Sequence, residues 1–293
     1  MQRFSPADHT QRGYILVLLA AISFGLYPAC SKLTYLDGAN PVMLIVVSTA
    51  LRTLALLSAA LKKGYSLTEI YKEPLSAVGS GFFQAVSIFG IIASLRYIPG
   101  PVMITIVFSH TLMLLVLLVI RGQAQLTALS VGTSLMALVG ISLVVDLSGN
   151  LDRVEWRGVT LALIAAFATA SRMYAYGNHV KTTASEIVGT RAFTCATGFL
   201  LLVVAWDTPL PPTSLQGCMW MVAACISLMA GTVLSFKALE VLGSFRTSLV
   251  LKVEPVCTCV YSWLILNELL KGSQYLGVAL VLGSVAFYQY RDR

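Results

Sequence analysis

The chain has 293 residues, of which 57% are hydrophobic and only 11% charged, and its mean hydropathy is +0.81. Soluble domains carry about 25% charged residues, so 20 Lys/Arg and 13 Asp/Glu are too few to coat a globule of this length. A disordered chain, a collagen-like fibre and a cytosolic enzyme are thereby excluded, and the composition reads as an all-α membrane protein. The net charge of +7 does not point to nucleic acid, because basic residues of membrane proteins gather in cytoplasmic loops and meet anionic lipid.

Stretches of about 20 apolar residues, the length a helix needs to span a bilayer, recur ten times. They run from 13–33, 41–61, 75–95, 101–120 and 127–146 in the first half. In the second half they run from 157–177, 187–206, 217–237, 246–266 and 273–291. The first could pass for a signal peptide, yet it is long enough to span and no small-residue cleavage site follows it, so it reads as a retained span. The connections are short, the longest being Lys62–Pro74 and Leu147–Trp156. No room remains for a soluble domain. With the N-terminus inside, the cytoplasmic segments hold Arg3, Arg12, Lys62, Lys63, Lys72, Arg121, Lys181, Lys237, Arg246, Arg291 and Arg293, against Arg96, Arg153, Arg157 and Lys271 outside. This bias places both termini in the cytoplasm.

The two halves repeat. Arg12-Gly13 opens the first span and Arg157-Gly158 the sixth, and at this offset Leu16, Leu18, Ala20 and Ala21 meet Leu161, Leu163, Ala165 and Ala166. Gly132 falls opposite Gly277 and Gln123 opposite Glu268; one residue of slippage puts His110 opposite Glu254. The chain thus divides into five-helix units at 12–146 and 157–291. An odd number of spans per unit forces the copies into opposite orientations, the inverted repeat of carriers that rock about a midplane site.

The opening GYILVLLAAISFGLYPACSKL and the block KVEPVCTCVYSWLILNELLKGSQYLGVALVLGSVAF, with this five-plus-five layout, resemble EamA-type members of the drug/metabolite transporter superfamily. Glu254-Pro255 followed by Glu268 and Gly277 is the most specific part of the likeness, which covers about 12 to 291. The first half departs from the family pattern, with Ser109-His110 where Pro is common and Gln123 where Glu is common. The resemblance implies a ten-helix carrier of the cell inner membrane with a central cavity, moving small metabolites, often amino acids, outward.

Charges inside spans are functional candidates by default, since each costs about 2.5–3.5 kcal/mol at a helix centre. Arg52 sits midway along the second span; it is either a clamp for a carboxylate or phosphate or the partner of Glu254. Lys252 and Glu254 are two residues apart, so about 200° of helix separates them and they face different neighbours. Pro255 frees the carbonyl of residue 251 beside Glu254. His110 is either a titrating group or a neutral hydrogen-bonded one. Arg172 either reaches cytoplasmic water or serves the cavity, and Arg191 reads as a snorkelling interfacial arginine. Tyr27, Tyr174, Tyr176, Gln84, Phe89, Tyr261 and Trp263 suggest aromatic walls for an amphipathic organic substrate. Trp156 and Trp206 read as belt anchors, and Gly132 and Gly140 as a close-packing pair. The candidate substrate-binding set is Arg52, Lys252, Glu254, His110, Tyr27, Arg172, Gln84 and Tyr174.

Excess cations within spans favour a substrate carrying a carboxylate or phosphate. No Walker motif, HExxH or GxSxG occurs, and His9, His110 and His179 are too dispersed for a metal triad, so neither an enzyme nor a cofactor or metal site is expected. The six cysteines form no CxxC pair and read as packing residues. The reading is a secondary transporter exporting amino acids or related carboxylated metabolites, its partners being a small molecule and the lipid bilayer, as monomer or homodimer. Uptake of a vitamin or nucleotide-like metabolite and a structural or partner-binding role are the alternatives.

Overall fold

The computed structural model describes residues 6–72, 74–94, 97–146, 154–204, 208–267 and 271–291. Arg3, Arg96, Arg153, Trp206, Glu268 and Arg293 lie outside these residues. Every regular element among the described residues is helical. In the first half α1 is Pro6–Leu36, α2 Pro41–Lys62, α3 Leu67–Ile70, α4 Pro74–Ser94, α5 Gly100–Phe108, α6 His110–Ile120 and α7 Ala128–Val144. In the second half α8 is Trp156–His179, α9 Ser185–Val204, α10 Leu215–Val250, α11 Glu254–Leu266 and α12 Gly272–Arg291.

Among the described residues, five stretches are long and apolar enough to cross a membrane: Thr10–Leu36, Pro41–Lys62, Val102–Ile120, Trp156–His179 and Leu215–Leu266. Val78–Ser94 and Ala128–Val144 are apolar but shorter. Large apolar side chains such as Leu54, Phe82, Phe167, Ile226 and Phe287 lie exposed on the outside of the bundle, as expected where the solvent is hydrocarbon.

Helix ends carry the caps their sequences encode. Asn40 accepts a hydrogen bond from the Met43 amide at 3.0 Å at the start of α2, and Ser214 does the same for Gly217 at the start of α10. Ser66 and Glu69 form a capping box around α3, satisfying amides that a helix start leaves without partners.

The two halves interlock reciprocally. α1 packs along α10 and α8 along α4; α2 meets α9 and α7 meets α12. The partners run antiparallel: Gly13 lies against Leu242 while Gly231 lies against Phe24. α7 and α12 hold the same place in each half, and they too are antiparallel, with Gly140 against Val281 and Met136 against Gly283. A Cβ on Gly277 would stand 2.6 Å from the Gly140 carbonyl and the Val144 amide, so backbone approaches backbone there. Of the two glycines expected to pack closely against a neighbouring helix, Gly140 does and Gly132 does not: a Cβ on Gly132 would meet nothing within 4 Å. The glycine that faces Gly140 is Gly277, because the tight contact lies at one end of the crossing only.

Two spans are broken. The fourth divides at Ser109, where α5 ends and α6 begins. α10 turns sharply at Gly243, whose φ of 76° is the left-handed region that glycine tolerates, and passes through a 3-10 turn at Leu251–Val253 before α11. Pro255 lies in the first turn of α11, where its missing amide leaves no bond unmade. Residues 62–74 were expected to form a connection alone, yet they include α3.

Candidate functional site

Arg52 lies on the buried stripe of α2 with Ser48, Thr49, Leu56 and Ala60. Its Nε donates to the Ser48 carbonyl at 3.1 Å and its Nη2 to the hydroxyls of Ser48 and Thr49 at 3.3 and 3.2 Å. Its guanidinium stands 4.9 Å from the Phe193 ring centroid, a cation–π contact supplied by α9. The alternative in which Arg52 forms an ion pair with Glu254 does not hold: its hydrogen bonds stay on its own helix.

From Phe193 an aromatic ladder crosses the interior. Phe193 meets Phe236 of α10 at 6.3 Å, and Phe236 meets Tyr176 of α8 at 4.9 Å. The Tyr176 hydroxyl donates to Gln84 Oε1 of α4 at 3.2 Å. Arg172 precedes Tyr176 by one helical turn and shares its face. It interacts electrostatically with Tyr176 and Glu254, and its buried Nε has no hydrogen-bond partner. Arg52 is electrostatically coupled to Tyr27 of α1 and to Arg172. Glu254, Tyr27 and Arg172 are part-exposed although each lies well inside its span. Arg52 of α2, Arg172 of α8, Tyr27 of α1, Gln84 of α4 and Glu254 of α11 are therefore linked pairwise, through Arg172 and Tyr176.

Lys252 and His110 belong to a neighbouring polar cluster at the two helix breaks. Lys252 is fully buried and donates to the Ser134 carbonyl of α7 at 3.1 Å. Lys252 and Glu254 thus face different neighbours, as their spacing requires. His110 Nδ1 lies 2.9 Å from the Val107 carbonyl and Nε2 lies 3.0 Å from the Ser248 hydroxyl, which also meets Thr111 at 2.8 Å. With both ring nitrogens engaged, His110 is a cross-brace between α6 and α10, and it is electrostatically linked to Lys252 and Arg172.

Other residues lie elsewhere. Tyr174 is two residues from Arg172, hence on the opposite side of α8, and Arg121 at the end of α6 stands 5.9 Å over its ring. Phe89 and Trp263 are each 51% exposed on the outer surface rather than on an inner wall. Trp156 is exposed at the start of α8 with Arg157 over its ring at 5.9 Å. Arg191 does not snorkel. It is buried and donates to the carbonyls of Ile70 and Glu69, because α3 folds over it and offers the carbonyls that a helix end leaves open.

Sequence reasoning names Tyr176 among the aromatic walls but leaves it out of the candidate set, and it singles out neither Phe193 nor Phe236. The one signal was the four-residue spacing of Arg172 and Tyr176, which places both on one face. All six cysteines are free.

The family model of the EamA-like transporter family matches residues 11–146 and again 156–289. The chain belongs to this family. It is accordingly a multi-pass membrane transporter of the drug/metabolite type, built from two EamA repeats. A solved crystal structure whose description names no activity superimposes on the chain with a TM-score of 0.80, covering 98% of each chain at 15% identity. That likeness shows the shared fold. No curated protein matches the sequence of this EamA-family chain.

Proposed function

We propose that this EamA-family protein is a secondary carrier exporting amino acids or related small carboxylated metabolites by alternating access. The observation that carries the reading is the electrostatic interaction of Arg52 with Arg172, one from each half, and of these with Tyr27 and Glu254, beside the buried Tyr176–Gln84 hydrogen bond. A planar guanidinium binds carboxylate bidentately, and Glu254 supplies an anionic counterpart for an ammonium group. Arg172 Nε, buried without a hydrogen-bond partner, is a donor that such a ligand would satisfy.

The carrier crosses the membrane ten times, as two inverted five-helix units at 12–146 and 157–291. The stretch Leu215–Leu266 has 52 residues, about 78 Å of helix at 1.5 Å per residue, against about 30 Å of hydrocarbon. Broken at Gly243, it crosses twice. The antiparallel meeting of α7 and α12 supports opposite orientations of the two units, and the Lys/Arg bias supports cytoplasmic termini. The location is the cell inner membrane. One chain supplies both halves, so a monomer suffices.

The test is transport by purified protein in proteoliposomes loaded with a mixed pool of amino acids and small carboxylates, with and without a pH gradient. Selective release of carboxylated compounds, lost in Arg52→Ala, is the expected result. Selective release of uncharged or cationic compounds alone would overturn the reading.

A further inference from the structure

The interior carries more positive charge than a single carboxylate ligand neutralises. Arg52 and Arg172 repel each other, and among the described residues neither has a carboxylate within ion-pair distance. Glu254 acts on Arg172 only through space. The nearby Lys252 is occupied elsewhere, by the Ser134 carbonyl.

The Arg52 guanidinium is also held differently from that of a surface arginine. Arg52 is fixed by three hydrogen bonds to its own helix through Nε and Nη2, leaving Nη1 for a ligand. The Phe193 ring covers it at 4.9 Å, and Phe193, Phe236 and Tyr176 form the ladder that links its position to that of Arg172. A pair of like charges fixed in an apolar interior is a standing cost, which an anion touching both relieves.

Resting on the carrier reading, we infer that the preferred substrate is a small organic acid with two anionic groups, or one doubly charged group, bridging Arg52 of the first repeat and Arg172 of the second. A dicarboxylate and a phosphate monoester share this chemistry. An amino acid with an acidic side chain satisfies it, with its ammonium group toward Glu254. A bridging ligand also ties the two repeats together, so substrate charge is read at the surface along which they move.

The consequence reaches the empty protein. Replacing either arginine removes a repulsion, so Arg52→Gln or Arg172→Gln is expected to leave the unliganded protein as stable as the wild type or more so, while losing the ligand. Stability and binding change in opposite directions, which a purely structural role for either arginine would not give.

The experiment measures thermal unfolding of the full chain in detergent, and counterflow in proteoliposomes, with succinate, its monomethyl ester, glycerol 3-phosphate, aspartate and alanine. A dianionic probe is expected to protect the protein and to be carried at concentrations at least about tenfold below the monoester and alanine, the equivalent of one charge-assisted contact. Succinate and aspartate against glycerol 3-phosphate separate the carboxylate class from the phosphate class. Arg172→Lys, which keeps the charge and loses the fork, is expected to retain a weakened preference. Equal or better binding of alanine or the monoester would overturn this inference and leave the carrier reading standing. Carriage of no carboxylated or phosphorylated probe would overturn both. A fall in unliganded stability in both glutamine variants, with dianion preference intact in those same variants, would assign the arginines to scaffold and overturn it too.

Discussion

His110 and Glu254 each stand at the first residue of a helix that restarts inside a broken span, α6 in the first half and α11 in the second. The repeat register puts these residues opposite each other, and the backbone does the same with its two breaks. The chemistry differs: His110 is braced between Val107 and Ser248, whereas Glu254 is part-exposed and coupled to Arg172. One break became a structural joint and its counterpart a site wall. His110→Asn, which keeps polar contacts, is expected to retain most stability, while His110→Leu removes the bonds to the Val107 carbonyl and the Ser248 hydroxyl, the latter keeping Thr111, and costs about 1 kcal/mol. Chemical denaturation in detergent checks the difference.

The α7–α12 crossing predicts an unequal response of two glycines. Gly277→Ala sets a methyl 2.6 Å from backbone atoms of Gly140 and Val144, so the helices must move apart at about 1–3 kcal/mol. Gly132→Ala meets nothing within 4 Å and is expected to be neutral or slightly stabilising. Melting temperatures of the two variants decide; an equal fall in both would refute the one-ended contact.

Arg191 bolts α3 to α9. Arg191→Leu removes the donors to Ile70 and Glu69 and leaves the Ile70 carbonyl without its side-chain partner, with an expected loss of about 1.5–3 kcal/mol. Hydrogen exchange should rise first at residues 66–72, and unchanged protection there would sink the assignment.

Lys252 makes one hydrogen bond, to Ser134, in a fully buried position. A buried ammonium is costly when its donors are incompletely met, so Lys252→Met, of similar length, is expected to match or exceed wild-type stability. Lys252→Ala opens a cavity and is expected to lose about 2–5 kcal/mol, a scale set by large-to-small core substitutions. A Met variant as unstable as the Ala variant would show that the amine itself holds the joint.

Asp37 accepts hydrogen bonds from the Ser214 amide at 2.8 Å and from neighbouring hydroxyls, and these hold its carboxyl below its ordinary value of 3.8. A depressed carboxyl stabilises the fold above its unfolded value and loses that contribution as pH falls through its folded value. The melting-temperature gap between wild type and Asp37→Asn is therefore expected at neutral pH and to close below 3.8. Lys63 has the opposite sign. Its hydrogen bond from Nζ to Glu186 at 2.7 Å raises it, so that contribution is present at neutral pH and fades only in strong alkali. Being half exposed, it is worth under about 1 kcal/mol.

The helical architecture was legible because a bilayer demands apolar stretches of fixed length and punishes intramembrane charge, leaving both marks in the sequence. The Arg-Gly openings and the Gly132/Gly277 register exposed the duplication for the same reason. Facing was harder. Hydropathy measures transfer from water and is blind to which side of a helix meets protein, so Trp263 and Phe89 read as wall residues from sequence although each is half exposed. Arg191 was misread because its acceptors belong to α3, 121 residues away, even though the Ser66–Glu69 capping box marked that helix. The aromatic ladder left least trace, since Phe193 and Phe236 are ordinary residues in apolar runs and acquire meaning only when α9 and α10 meet.

The α7–α12 contact is pinched at Gly140 and Gly277 and splayed around Gly132. By the repeat register, the mirror of the Gly140–Gly277 meeting is a meeting of Gly132 with Val285. A carrier that exchanges the shapes of its two halves would release the first and close the second, like scissors pivoting between two rivets of which one is engaged at a time. Gly132, idle in this conformation, then becomes the residue that must stay small. Gly132→Val should leave this state's melting temperature unchanged while slowing turnover, and chemical cross-linking between cysteines placed at 132 and 285 should form only during transport.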